Sequence, residues 1–161
     1  MISKSKIQTQ KIAIRLARKI IKANRPERSR RAIVIALIGD LGSGKTLFVQ
    51  GFVKALGIKI HVPSPTFVIY RKYKIFSDQQ PTTNNQQLLN NEFKRIYHFD
   101  LYRIQKPKEI IDLDFRKIIK NPENIVLIEW PEKILKYLPE NTIKIRFEHR
   151  KKASERDIKI N

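Results

Sequence analysis

Two stretches of this 161-residue chain combine residue types and spacing suited to phosphate chemistry. The first is Gly39-Asp40-Leu41-Gly42-Ser43-Gly44-Lys45-Thr46, a G-x-x-x-x-G-K-[ST] sequence. Glycines at 39, 42 and 44 reach backbone angles closed to other residues, so successive N–H groups can turn toward one anion. A helix opening at Lys45 adds its free N–H groups and the positive end of its dipole. Lys45 is then expected to reach the β- and γ-phosphates of a nucleotide, and the Thr46 hydroxyl to ligate Mg²⁺. The second stretch is Ile125-Val126-Leu127-Ile128-Glu129, four apolar residues ending in a carboxylate. If that run is a buried strand beside the glycine loop, Glu129 arrives where it can hold the metal or the attacking water. Asp100, at the end of another strand-like segment, is a second carboxylate for the same task. A surface ion pair with Arg103 is the plainer account of Asp100.

The elements that must position these groups are readable around them. Ala32 to Ile38 is an apolar run that leads into the loop, and Leu47 to Val53 continues it as a helical pattern. Strand, glycine turn, Lys-Thr and helix in that order form the context in which the motif means phosphate binding rather than an ordinary turn. The helix is expected to stop near Gly57. Upstream, residues 7 to 23 read as a basic amphipathic helix, with Ile12, Leu16 and Ile20 on one face and Lys11, Arg15, Arg18, Lys19 and Lys22 largely off it. Such a helix can pack on a sheet, lie on a membrane or serve as a transit peptide, and packing is the commoner fate. Downstream, Pro63 and Pro65 hold residues 61–67 extended, with Ser64 and Thr66 as hydroxyls. A strand is expected to begin at Val68. The Gln-, Asn- and Thr-rich residues 77–91 read as a flexible loop. Ile96 to Arg103 has strand character, and one helix is expected from Pro107 to Lys120. Ile143, Ile145 and Phe147, then Ile158 and Ile160, alternate as a closing hairpin around Arg150-Lys151-Lys152.

Composition narrows the function classes. The length suits a single domain over residues 1–161. The absence of cysteine excludes disulfides, thiolate zinc sites and a cysteine nucleophile. His61, His98 and His149 are scattered without ligand spacing. No apolar run approaches the roughly 20 residues of a membrane span, and no continuous apolar core marks a secretory signal. Lys and Arg number 34 against 15 Asp and Glu, a formal net charge of +19. That excess favours a polyanionic partner, although a lysine-rich proteome would produce the same charge by drift.

Four blocks then coincide in order with one known family: Gly39 to Thr46, Ser64-Pro65-Thr66-Phe67, Tyr97-His98-Phe99-Asp100-Leu101-Tyr102-Arg103 and Ile128-Glu129-Trp130-Pro131-Glu132. Together they make the chain resemble the TsaE (YjeE) family, small ATPases of tRNA threonylcarbamoyladenosine synthesis. The resemblance implies an α/β fold, a P-loop NTPase-like domain with a mixed parallel and antiparallel sheet flanked by helices. It implies a cytoplasmic protein that binds ATP and Mg²⁺ and acts with the partner proteins TsaB and TsaD, the latter modifying the tRNA. It implies nucleotide contacts from Gly39, Asp40, Leu41, Gly42, Ser43, Gly44, Lys45, Thr46, Leu47 and Trp130, metal held by Thr46 and Glu129, and catalytic roles for Lys45, Asp100 and Glu129. Thr66 would sit in a switch-like segment.

Leu47 replaces a threonine common in the family and removes one hydroxyl contact, and Asp112-Leu113-Asp114-Phe115 lacks the glycine usual there. The expected activity is ATP hydrolysis, weak alone and raised by TsaB–TsaD. Two other readings stay open: a nucleotide-regulated binding module with negligible turnover, and a small-molecule P-loop kinase, for which no arginine-bearing lid is evident. Direct tRNA binding stays open as well, and no membrane association is expected.

Overall fold

The structure, a computed structural model, describes residues 1–23, 31–58, 68–75, 93–152 and 154–161. The proline-held segment 61–67, with Ser64 and Thr66, and the polar loop 77–91 lie outside the described residues.

Strand β1 (Ile2–Ser3) precedes helix α1 (Lys6–Ala23), and β2 (Ile33–Ile38) leads through the glycine loop into α2 (Lys45–Ala55). Next come β3 (Tyr70–Lys74), β4 (Arg95–Asp100), short helices α3 (Lys108–Ile111) and α4 (Phe115–Lys120), and β5 (Asn124–Glu129). A 3-10 turn (Glu132–Tyr137), β6 (Ile143–His149) and β7 (Arg156–Ile160) complete the order. The strands form one sheet in the order β1-β7-β6-β2-β5-β4-β3. Its centre is parallel, with β2 between β5 and β6 and β4 beyond β5, and both margins are antiparallel. The expected mixed α/β sheet with flanking helices is the observed one.

Period-two side-chain alternation explains the two cores. Ile33, Ile35 and Leu37 of β2, with Ile125 and Leu127 of β5, face the layer built by α1 and α2. Val34, Val126 and Ile128 face the other side, against Phe115, Ile118 and Ile119. Every residue of β5 is buried, as an apolar strand covered on both faces requires. The N-terminal helix therefore packs inward through Ile12, Ala13, Ala17 and Ile20. No helix among the described residues is long and apolar enough to cross a membrane.

The α1–α2 contact depends on Gly51. A Cβ at that position would stand 2.7 Å from the Gln10 carbonyl and 2.8 Å from the Ala13 Cβ. Gly51→Val is expected to cost about 2–3 kcal/mol through overpacking and to lower Tm by roughly 5–10 °C. Thermal melting followed by circular dichroism checks this, and an unchanged midpoint would show that the helices separate freely.

Three expected boundaries are corrected. Residues 107–120 form two helices because Asp114 takes a left-handed conformation, φ 57°. The turn that a glycine would make easily is thus retained by an aspartate, one of the few side chains that tolerate this region. That kink lets Phe115 and Ile119 both point into the core. The strand expected from Val68 starts instead at Tyr70, after Ile69 with φ 62°. The strand expected over Ile96 to Arg103 runs from Arg95 to Asp100, because Asp100 Oδ1 accepts the Tyr102 N–H and the Ile104 N–H bonds the Leu101 carbonyl, closing a turn.

Candidate nucleotide site

Parallel pairing places the chemistry at one edge of the sheet. In register, Leu37 of β2 lies beside Glu129 of β5, and Glu129 beside Asp100 of β4. The loop from 39 to 44 leaves β2 at that same edge and turns into α2, whose first turn carries no acid. Gly44 occupies the N-cap position with φ 101° and no side-chain cap, so the first N–H groups of α2 are left for another acceptor. Gly39 has φ 149°, and a Cβ there would meet the Phe147 carbonyl at 2.4 Å. Both positions demand glycine.

The polar groups converge across distant parts of the chain. Thr46 Oγ1 donates to Glu129 Oε2 at 2.9 Å, joining residues 83 apart. Glu129 Oε1 lies 2.9 Å from His98 Nε2, both groups being almost wholly buried. Asp100 is 5% exposed, and its Oδ1 accepts the Tyr102 N–H at 3.1 Å. That burial removes the surface account of Asp100. Lys45 Nζ donates to the carbonyls of Gly39 at 2.6 Å and Asp40 at 2.8 Å, and it stands 3.8 Å from the centre of the Trp130 ring. Trp130 itself has φ 58° and a ring 5.0 Å from that of Tyr102. A left-handed conformation at a bulky residue costs on the order of 1–2 kcal/mol. That conformation at the residue after Glu129 accompanies the placement of the indole beside the lysine. Burial pushes the Lys45 ammonium below its ordinary value, opposed by the carboxylates of Glu129, Glu132, Asp100 and Asp40.

The expected site residues are distributed accordingly. Lys45, Thr46, Asp100, Glu129 and Trp130 meet at the sheet edge. Asp40, Leu41 and Gly42 form the exposed crest of the loop, while Ser43 is buried and its hydroxyl has no hydrogen-bond partner among the described residues. Leu47 is half-buried in the first turn of α2 and brings no polar atom. The residues fit a triphosphate and a hard divalent cation: an orphaned buried hydroxyl, free N–H groups at a helix start, and oxygen donors from Thr46, Glu129 and Asp100. No group of three His, Cys, Asp or Glu clusters among the described residues. Mg²⁺ commonly needs only one or two carboxylates when phosphates complete its shell.

Two contributors escape a reading of the sequence. His98 shows no ligand spacing, yet strand alternation in β4 puts it on the face of Ile96 and Asp100, and that periodicity is the signal that finds it. The closing hairpin also reaches the loop: His149 Nε2 lies 3.1 Å from the Leu41 carbonyl. No linear pattern connects residues more than 100 positions apart.

Comparison with known proteins agrees with this arrangement. The sequence matches the family model described as "Threonylcarbamoyl adenosine biosynthesis protein TsaE" over residues 3–158. It is 35% identical to the tRNA threonylcarbamoyladenosine biosynthesis protein TsaE of Haemophilus influenzae, over 74% of this chain and 65% of that relative. For the proteins of the same name from Rickettsia typhi and Bacillus subtilis, identity is 38% and 34%, over 65% and 70% of this chain and 60% and 59% of theirs. The chain thus spans less than two thirds of the length of these relatives. A crystal structure of YdiB from Bacillus subtilis superposes with a TM-score of 0.53 at 27% identity, covering 90% of this chain and 77% of that one. Because the family match spans residues 3–158, a range that includes the glycine loop, His98, Asp100 and the Glu129–Trp130 pair, this chain belongs to the TsaE family.

Proposed function

We propose that this protein is the Mg²⁺-dependent ATP-binding and ATP-hydrolysing component of tRNA threonylcarbamoyladenosine synthesis, acting in the cytoplasm on a TsaB–TsaD pair. The observation that carries the reading is the 2.9 Å contact between Thr46 and Glu129. It brings together the loop hydroxyl and the strand-end carboxylate, the two groups that would hold a divalent cation beside bound phosphates. Family membership supports the tRNA pathway.

In this reading the N–H groups of Gly42 to Thr46 and the start of α2 cradle the phosphates. Lys45 gives up the Gly39 and Asp40 carbonyls and pairs with the phosphate oxygens. Thr46 and Glu129 would hold Mg²⁺, which when bound would supply positive charge beside the phosphates. Glu129 and Asp100 orient the attacking water, and His98 fixes the Glu129 carboxylate through Oε1. Trp130, with Tyr102 against its ring, covers the lysine and keeps water from its ammonium.

The groups given catalytic roles in this reading, Lys45, Asp100 and Glu129, include no arginine, so turnover by the isolated protein is expected to be slow. The +19 charge supports an approach to tRNA, at least through the partners. Phosphate release measured with and without TsaB–TsaD tests the reading. Slow release that rises at least tenfold with the partners is expected, on the scale of a single charge-stabilising group. Fast release by the protein alone, or none under either condition, would sink it.

A further inference from the structure

The β6–β7 hairpin closes on the glycine loop from the side opposite Glu129. Because β2 lies between β5 and β6, the loop has the carboxylate on one flank and the hairpin on the other. Phe147 crowds Gly39, His149 reaches the Leu41 carbonyl, and Arg156, paired in register with His149, lies against Gly44. Its Nη1 is 2.8 Å from where a Gly44 Cβ would stand.

Arg156 is 5% exposed. Among the described residues its hydrogen-bond partner is the Ser154 carbonyl at 3.0 Å, and no carboxylate lies within ion-pair distance. The adjacent Asp157 pairs with Arg150 at 3.3 Å instead. A guanidinium does not shed its proton, and a buried charge is costly unless something of opposite sign meets it. The same loop holds a second unmatched group, the Ser43 hydroxyl, 1% exposed and without a hydrogen-bond partner among the described residues. Two buried donors and a helix start thus converge on one loop, and among the described residues no anion meets them.

We infer that Arg156 is a second cation of the phosphate site, supplied from β7, whose counter-charge is the polyphosphate of a nucleotide held across Gly44. The inference rests on the ATP-binding reading and adds a residue to it. Lys45 meets the phosphates from the Trp130 side and Arg156 from the hairpin side. A bound nucleotide would then tie β7 to the loop.

Calorimetric titration of the full chain with Mg–ATP and with inorganic tripolyphosphate, at low and high salt, tests this. Wild type is compared with Arg156→Lys and with whichever of Arg156→Met and Arg156→Gln keeps the wild-type circular dichroism. The neutral variant is expected to lose about tenfold or more in affinity for both ligands, the size of one hydrogen-bonded charge contact. Its affinity should also fall less steeply with salt, because one phosphate-facing charge has gone. Arg156→Lys should retain more affinity than the neutral variant. Wild-type affinity in the neutral variant overturns the inference, as does a loss with unchanged salt dependence, which marks a structural prop. A wild-type protein that binds neither ligand overturns the ATP reading itself.

Discussion

Glu129→Gln is expected to slow ATP hydrolysis by about 10²–10⁴-fold, the range for a positioned acid–base or water-orienting group, while the protein stays folded and still binds nucleotide. The buried carboxylate holds Thr46 with one oxygen and His98 with the other. Glutamine keeps the shape and can still bond both neighbours, but it brings no negative charge to the metal or the water. Glu129→Ala goes further, leaving Thr46 and His98 without that partner at a cost of about 1–3 kcal/mol per unsatisfied buried group. Single-turnover phosphate release in the presence of TsaB–TsaD separates the two effects. Unchanged hydrolysis in the glutamine variant would remove Glu129 from the chemistry and pass its role to Asp100, the neighbouring strand end.

Lys45→Ala is expected to weaken ATP binding by roughly 10- to 150-fold, equivalent to the 1.5–3 kcal/mol of a hydrogen bond to a charged group. The ammonium is poised for that exchange because its present partners are two backbone carbonyls of the loop itself. Arginine is not a substitute, since its planar fork does not fit a space shaped for a compact ammonium over the Trp130 ring. The pH dependence has a definite sign. The charged lysine binds phosphate, and burial lowers the pH at which that charge is lost below the 10.5 of an ordinary lysine. Affinity should therefore decline on the alkaline side before a free lysine would titrate, and the decline should be absent in Lys45→Ala. Titration with a fluorescent ATP analogue across pH measures both effects.

The parts of the fold that could be read from the sequence are those whose cause is local. The all-apolar run of β5, the Ile33–Ile38 strand, the amphipathic spacing of α1 and the alternation in β6 and β7 each follow from one periodicity. The loop was readable because Gly39, Gly44 and Lys45 lie within seven positions. What stayed hidden depends on pairing across the sheet. Asp100 moves from a surface ion pair to a buried strand end only once β4 is registered beside β5. His98 becomes the second partner of Glu129 for the same reason. The break at Asp114 escapes because a left-handed aspartate looks like any helix-surface residue, and the tertiary demand to bury Phe115 and Ile119 decides it. Arg156 is one of 34 basic residues until the hairpin brings it against Gly44.

The convergence of Lys45, Thr46, Glu129 and Trp130 is the claim on which the rest depends, and the protein carries its own reporter for it. Trp130 is the sole tryptophan of the chain, and its ring lies 3.8 Å from the Lys45 ammonium. Titration of the full chain with Mg–ATP, followed by intrinsic tryptophan fluorescence, is expected to give a saturable change as Lys45 leaves the ring for the phosphates. Lys45→Ala should abolish that saturation at the same concentrations. A flat fluorescence signal in a wild-type protein shown by calorimetry to bind Mg–ATP would contradict the account, placing the nucleotide away from Lys45 and Trp130.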